Sequence, residues 1–524
     1  MTTLNQTRIR KVNDLPIQNQ GQYVLYWSQM SRRLTHNHAL DYAIVCAKSL
    51  KKPLVVYEAL KRNYPWASAR IHQFVLEGMR ENLEFAREIG INYWPFVETP
   101  AHTGRGLVRT LLDNACLLVT DDYPAYIVPA QIRAIAAVAS CPVYAVDANG
   151  IIPLSMLGAP VAAAAHLRPR IHKLFADGWK HRAQAEPDFP KGHIDPPFEL
   201  WKAPPSSDAI AEFVKTLSID ASVPRVKTVG GRSAGRNCLK SFIKERLPRY
   251  GQERNHPDDP ARGSASGLSP YLHFGHVGIQ EVCEAVLGKS WTEAELNLKT
   301  RNKDDFFCRD ASINSFLDEA LTWRDIGFHW HYRRNEAIPT SPAAVSKRSW
   351  QDQAERPSFN FETMDFSPRQ AGKGTLQSVL PAWAWKTLSD HAGDRREYLY
   401  TLEQFEQADT HDPLWNAAQT ELVHTGRMHN YLRMLWGKKV LEWTESPEQA
   451  YGILEHLNNK YALDGRDPNS YTGILWCFGL FDRPWPPERT VFGNIRFMSS
   501  DNTAKKFKLG GYYEYVAKVS KSSV

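Results

Sequence analysis

Between residues 23 and 147, short runs rich in Val, Ile, Leu and Tyr alternate with helix-length patterns, and this alternation constrains the fold more than any other feature of the chain. The runs are YVLYW (23–27), PLVVYEA (53–59), NYWPFVE (92–98), CLLVTD (116–121) and PVYAVD (142–147). Unbroken apolar character over so few residues reads as strands buried on both faces. Between the second and third lies IHQFVLEGMRENLEFAREIG, whose Phe74, Val75, Met79, Leu83, Phe85 and Ala86 fall mostly on one helical face. Such alternation implies a doubly wound parallel sheet. No GxGxxG follows the first run, which argues against nicotinamide binding.

From 183 to 207 six prolines occur in 25 residues, a density that disfavours helix and reads as an extended connector. Beyond it the pattern is helical, with few β-branched runs and several long amphipathic segments. The expected fold class is therefore α/β plus all-α, with an α/β domain over 20–182, a Pro-rich linker over 183–207 and a large helical domain over 208–524. A chain of 524 residues is too long for one hydrophobic core, which agrees with this division.

Hydrophobic residues at 43% and charged residues at 23% fit a soluble globular protein, whereas 16 Trp is a marked excess. The net charge of +7 is compatible with a polyanionic partner without requiring one. From Arg483 to the end there are eight Lys/Arg against three Asp/Glu, so the C-terminal segment is expected to present a basic surface. Seven dispersed cysteines without a CxxC argue against zinc and iron–sulfur sites and for reduced intracellular thiols; no metal is expected. The polar N-terminus lacks a secretory core, and no run approaches the roughly 18 apolar residues of a membrane span. A soluble protein is expected, cytoplasmic or, in a eukaryote, nuclear.

The chemistry concentrates in the helical half. The segment 397–471 carries Tyr400, Trp415, Trp436 and Trp443 among Asn, Arg and Asp groups. Trp436 and Trp443, seven apart, share one face of a helix at an axial separation of roughly 10 Å. Asn430 and Arg433 also share a face, and DGRD supplies Asp464 and Asp467 nearby. In GLSPYLHFGH (267–276), Ser269 and the preceding Ser266 stand at a helix start whose backbone N–H groups suit a diphosphate. Glu319 and Trp323 are one helical turn apart and project together into a cleft. Singly, each feature has an ordinary reading: a buried Trp is core packing, an Arg–Asp pair is an interhelix salt bridge, and a Ser-Pro start is a cap. Their coincidence is the signal.

These blocks, together with YVLYWSQMSRR (23–33), LRPRIHKLF (167–175), SFLDEALTWRD (315–325) and RTVFGNIRFM (489–498) in the same order, resemble the class II cyclobutane pyrimidine dimer type within the photolyase/cryptochrome family. The resemblance covers most of the chain; the extreme N-terminus, about 176–240 and the last dozen residues are poorly anchored. It implies FAD bound by Tyr250, Ser266, Leu268, Ser269, Asn430, Arg433, Asn458 and Asp464, with Asp467 and Asn469 as further candidates. Asn458 matches the amide opposite the flavin N5, with Asn469 as second candidate, and Arg433 paired to Asp464 favours an anionic reduced ring. Trp436, Trp415, Trp443 and Tyr400 match an electron path to the flavin.

The same resemblance makes Trp323 and Trp476 the walls of an apolar slot for a flipped-out lesion, with Met434 as a further contact. Glu319, with a raised pKa, would donate a hydrogen bond to a thymine carbonyl, and Glu319 and Asn458 are the catalytic candidates. Arg483 and Arg496 match residues that enter the bubble left in the DNA. The implied function is light-driven repair of cyclobutane pyrimidine dimers in DNA, a carbon–carbon lyase reaction, by a monomer. The implied antenna pigment is of the deazaflavin or folate type, seated in the α/β domain. The alternative is a cryptochrome-like blue-light photoreceptor using the same flavin and Trp chain. One departure stands out: where many relatives read RREL and then an Asp-Asn-Phe run, this chain has 323–331 as WRDIGFHWH. An altered active-site rim is expected there, with Gly327 marking a kink or close packing and the photoproduct range most exposed to the difference.

Overall fold

All five apolar runs are strands of one sheet. The computed structural model describes residues 3–258, 260, 263–300, 303–336, 358–360, 365–367 and 375–521. Its strands are β1 (Ile9–Lys11), β2 (Tyr23–Ser28), β3 (Leu54–Leu60), β4 (Asn92–Val97), β5 (Ala115–Asp121) and β6 (Val143–Val146). The spatial order is β1-β6-β5-β2-β3-β4; β1 is antiparallel to β6 and every other pair is parallel. The winding therefore reverses at β2, as a doubly wound sheet requires.

Strand β1 had no apolar run to announce it. It is fastened instead by the buried Arg8, which donates to the carbonyls of Asp147 (3.1 Å), Gly150 (3.1 Å) and Ile151 (2.6 Å). The sheet consequently begins ahead of residue 20. Helices α1 (His38–Leu50) and α2 (Ala69–Ile89) pack on the sheet, their first turns capped by the side chains of Asn37 and Ser68.

Among the described residues, 181–206 contain neither helix nor strand. The helical half follows, and six of its helices frame the site: α3 (Ser269–His273), α4 (Arg324–Glu336), α5 (Pro413–Thr425), α6 (Asn430–Glu442), α7 (Pro447–Tyr461) and α8 (Pro468–Cys477). Helices α5, α7 and α8 each begin with proline behind a capping Asp412, Ser446 or Asp467. The purely helical expectation misses one element, a short antiparallel pair of Ser358–Asn360 with Asp365–Ser367.

The motif 267–276 ends against the α/β domain. A Cβ on Gly275 (φ 70°) would lie 1.9 Å from the Met30 carbonyl oxygen, so no larger residue fits this approach. Next to it the His276 ring stacks on Phe74 at 5.1 Å, and Arg33 donates to the Gly275 carbonyl at 3.2 Å.

Gly327 marks close packing rather than a kink, because α4 continues through it. A Cβ there would meet Asn469 Oδ1 at 2.6 Å and Thr472 Oγ1 at 2.8 Å, both on α8. Gly327→Ala should gain about 1 kcal/mol of helix propensity but lose about 1–3 kcal/mol to overpacking. A lower thermal unfolding midpoint is the expected outcome; an unchanged or raised one would show that α8 yields freely.

Candidate active site

The helical half contains a cavity of about 480 Å³, inside the roughly 300–1,000 Å³ range of small-molecule sites. The ten expected flavin contacts, Tyr250, Ser266, Leu268, Ser269, Asn430, Arg433, Asn458, Asp464, Asp467 and Asn469, all line it. They come from five separate stretches of chain.

Arg433 on α6 reaches Asp464, in the α7–α8 connection, through two nitrogens at 3.1 and 3.5 Å. Burial alone would push the Asp464 carboxyl up; Arg433 and the Ser269 hydroxyl outweigh it and hold the carboxyl below its ordinary value. The pair therefore stays ionised and presents a fixed guanidinium to the cavity. Asn430 opens α6 behind His429, whose ring accepts from the Tyr431 N–H at 3.2 Å. Burial brings His429 down to about 4, so the cap works as a neutral imidazole.

The two asparagine candidates differ. Asn458, 3% exposed near the end of α7, donates to the Ser470 hydroxyl. Asn469 donates to Asp467 at 3.1 Å, while its Oδ1 is buried without a partner and faces Gly327. Asp467 is committed to a junction: it caps α8 and meets Tyr123 of the α/β domain at 3.2 Å and His273 at 3.4 Å.

Glu319 and Trp323 both reach the cavity, but from a π-helical turn, Asp318–Trp323, rather than from the α-turn expected. Single π turns recur at functional sites because they redirect side chains without ending the helix. Glu319 is ion-paired with Arg254. Burial pushes its carboxyl up against the opposing pull of Arg254. The Trp323 and Trp476 indoles lie on one another, with centroids 5.2 Å and planes 15° apart. That spacing leaves no slot between them; they form one continuous apolar platform, a correction to the two-walled arrangement.

Met434 and Arg496 also line the cavity. Arg483 is not among its lining residues, yet it shares a partner with Arg496: both guanidinium groups stand over the Trp485 ring, at 4.5 and 5.0 Å. Within the divergent segment 323–331, Trp323, Arg324 and Ile326 face the cavity. His329 instead pairs with the Gly158 carbonyl at 2.9 Å, and Gly327 packs on α8. Much of the departure thus serves packing between elements and not the rim.

The four aromatic residues of the expected path are brought together. Trp436, in the cavity wall, is stacked on Trp415 at 6.4 Å and 8°. Trp415 lies 6.1 Å from Trp443, and Trp443 lies 5.6 Å from Tyr400. Trp443 terminates α6 instead of extending its face, so the connection between Trp436 and Trp443 runs through Trp415 and not directly along one helix. The Trp415 indole donates to the Trp436 carbonyl at 3.1 Å, and the Trp436 indole donates to Gln419 at 3.0 Å.

Sequence reading missed Arg254 and Gln419. Arg254 lies 65 positions from Glu319 and has no local signature. Gln419 had one, since it stands four residues after Trp415 on α5 and shares its face.

No protein-family model matches the chain. Curated relatives do. The chain is 33% identical over 514 residues to a deoxyribodipyrimidine photo-lyase of Methanothermobacter thermautotrophicus, covering 97% of this chain and 98% of that protein. It is 32% identical to a deoxyribodipyrimidine photo-lyase of Oryza sativa subsp. japonica, covering 96% and 89%. Among solved structures, a class III photolyase from Agrobacterium tumefaciens matches with TM-score 0.59 at 16% identity, covering 95% of this chain and 86% of that one. A photolyase from Sulfolobus tokodaii matches with TM-score 0.57 at 15% identity, covering 94% and 88%. The structural likenesses support the fold; the sequence identities, sustained over nearly the whole length, show that this chain belongs to the deoxyribodipyrimidine photo-lyase family.

Proposed function

We propose that the chain repairs cyclobutane pyrimidine dimers in DNA under light, with FAD in the 480 Å³ cavity. The observation that carries this reading is the shared cavity: the Arg433–Asp464 pair, the Trp323–Trp476 platform, Glu319 and the head of the aromatic path all border one space. The donor set suits FAD, offering a fixed cation, two serine hydroxyls and amides beside apolar walls. The Sulfolobus tokodaii structure was solved with two FAD molecules and an implied novel light-harvesting cofactor.

When bound and reduced, FAD supplies a light-excited one-electron donor. Arg433, held by Asp464, would favour negative charge on a flavin ring bound in the cavity. Asn458 is the better amide for the ring nitrogen, because the Asn469 oxygen is turned toward Gly327. The indole platform takes the face of a flipped base, and Glu319, in its protonated form and released from Arg254, donates a hydrogen bond where charge develops on the lesion carbonyl. Arg496 and Arg483 hold the opened strand, which makes affinity fall as salt rises. Repair is favoured over the photoreceptor alternative because relatives matched over almost the entire chain are named photo-lyases. No described helix is long and apolar enough to cross a membrane, and we take the working form as a monomer.

A second cavity of about 170 Å³ opens at the carboxyl ends of β2 and β3, lined by Trp27, Tyr57, Tyr64 and Phe96. Tyr126, Ile127 and Gln131, which follow β5, also line it, so it borders the switch point between β2 and β5 where ligands of such folds bind, and we assign it to an antenna pigment of the deazaflavin or folate type. His273 and Arg466 close it on the side of the helical half, next to Asp467 of the larger cavity. An absorption spectrum of purified protein identifies the pigment. The domain boundary is placed in the Pro-rich 183–207.

The test of the main reading is a dimer-containing oligonucleotide incubated with FAD-reduced protein. Thymines should be restored in blue light and not in the dark; equal outcomes in both would end the proposal.

A further inference from the structure

The aromatic path ends on a polar pair. Tyr400 Oη lies 2.6 Å from His411 Nδ1 and also accepts from the His411 backbone N–H at 3.0 Å. In the tautomer that carries the imidazole hydrogen on Nε2, the Tyr400 hydroxyl donates to Nδ1 while its oxygen accepts the backbone N–H. The His411 ring stands 4.9 Å from Trp443, and Tyr398 stacks on it at 3.7 Å. His411 itself is exposed to solvent. On the other side, the Lys439 ammonium sits 5.2 Å from the Trp443 ring centroid.

We propose that His411 is the proton acceptor that makes Tyr400 the terminal electron donor of the path. This rests on the reading of Trp436, Trp415, Trp443 and Tyr400 as an electron path, in which Trp436 would supply an electron to a flavin held in the cavity and the hole would migrate outward to Trp443. An electron passes from Tyr400 to the oxidised Trp443 indole while the phenolic proton moves to His411 Nδ1. Trp443 returns to a neutral indole, Tyr400 becomes a neutral phenoxyl radical, and His411 becomes an imidazolium. One positive charge precedes the step and one follows it.

Two features of the site drive the step outward. Lys439 disfavours positive charge on Trp443, although Glu442 at 2.8 Å offsets part of this. The imidazolium that forms is exposed and can pass its proton to water, which separates the charge from the path for good.

Flash photolysis of FAD-loaded protein, followed by absorption and electron paramagnetic resonance, tests the proposal. The unsubstituted protein should show a tryptophan radical replaced by a phenoxyl radical, slower in heavy water, and Tyr400→Phe should remove the phenoxyl signal. His411→Phe and His411→Asn should slow phenoxyl formation by at least about 100-fold, the lower end of general-base contributions. Asn keeps a hydrogen-bonding group without a basic nitrogen, so it separates proton acceptance from simple positioning. External imidazole should restore the signal to His411→Ala. Phenoxyl formation at an unchanged rate in both the Phe and Asn variants overturns the role of His411. A tryptophan radical without any phenoxyl in the unsubstituted protein also overturns it while leaving the tryptophan part of the path intact; absence of both radicals sinks the path reading and the proposal with it.

Discussion

Trp436→Phe is expected to lower the rate of flavin photoreduction by at least about 100-fold, because a one-electron equilibrium shifts tenfold for every 59 mV or so and a benzene ring is far harder to oxidise than an indole. The substitution keeps an apolar ring in the cavity wall beside Trp415. It leaves Gln419 without the indole donor, a loss of about 1–3 kcal/mol for an unpaired buried acceptor, which a protein of this size survives. Repair by protein whose flavin has been reduced chemically should therefore persist. The measurement is the time course of flavin bleaching under blue light with an external reductant, followed by a repair assay after chemical reduction. Photoreduction at the unsubstituted rate would take Trp436 out of the path.

Glu319→Ala is the second large effect. It removes the group proposed to stabilise charge on the lesion, and removal of one such preorganised donor costs about 100- to 1,000-fold. It also leaves the Arg254 guanidinium without its carboxylate. Glu319→Gln separates the two roles, since its amide still donates to a carbonyl; it should retain most of the repair yield. The pH dependence distinguishes them further. Burial raises the Glu319 carboxyl above its ordinary value, so the protonated donor is lost as pH climbs through that raised pKa. Repair yield should fall with rising pH in the unsubstituted protein and stay flat in Glu319→Gln. Parallel pH profiles would assign the dependence to another group.

The strands from Tyr23 to Val146 were legible because each is a self-contained apolar run, and burial on both faces demands that composition. The helix starts at Pro413, Pro447 and Pro468 went unread, although each carries a local signal, a capping side chain followed by proline that acts within one turn of the backbone. Strand β1 was not legible, because its hold comes from Arg8 reaching carbonyls some 140 positions away. A separation of 65 positions likewise hid Arg254 behind Glu319. Gly327 was visible as an anomaly, but whether it marked a bend or a contact depended on Asn469 and Thr472 of another helix.

Sequence alone determined the family and named the side chains proposed to carry the chemistry, because residue types and local spacing are written along the chain. Tertiary structure decided their mutual order. It put Trp415 between Trp436 and Trp443, laid Trp323 flat on Trp476, and set His411 against Tyr400. The physical reason is that ring stacking, ion pairing and proton transfer act over a few ångströms in space, and a distance in sequence does not measure that range until the helices have packed.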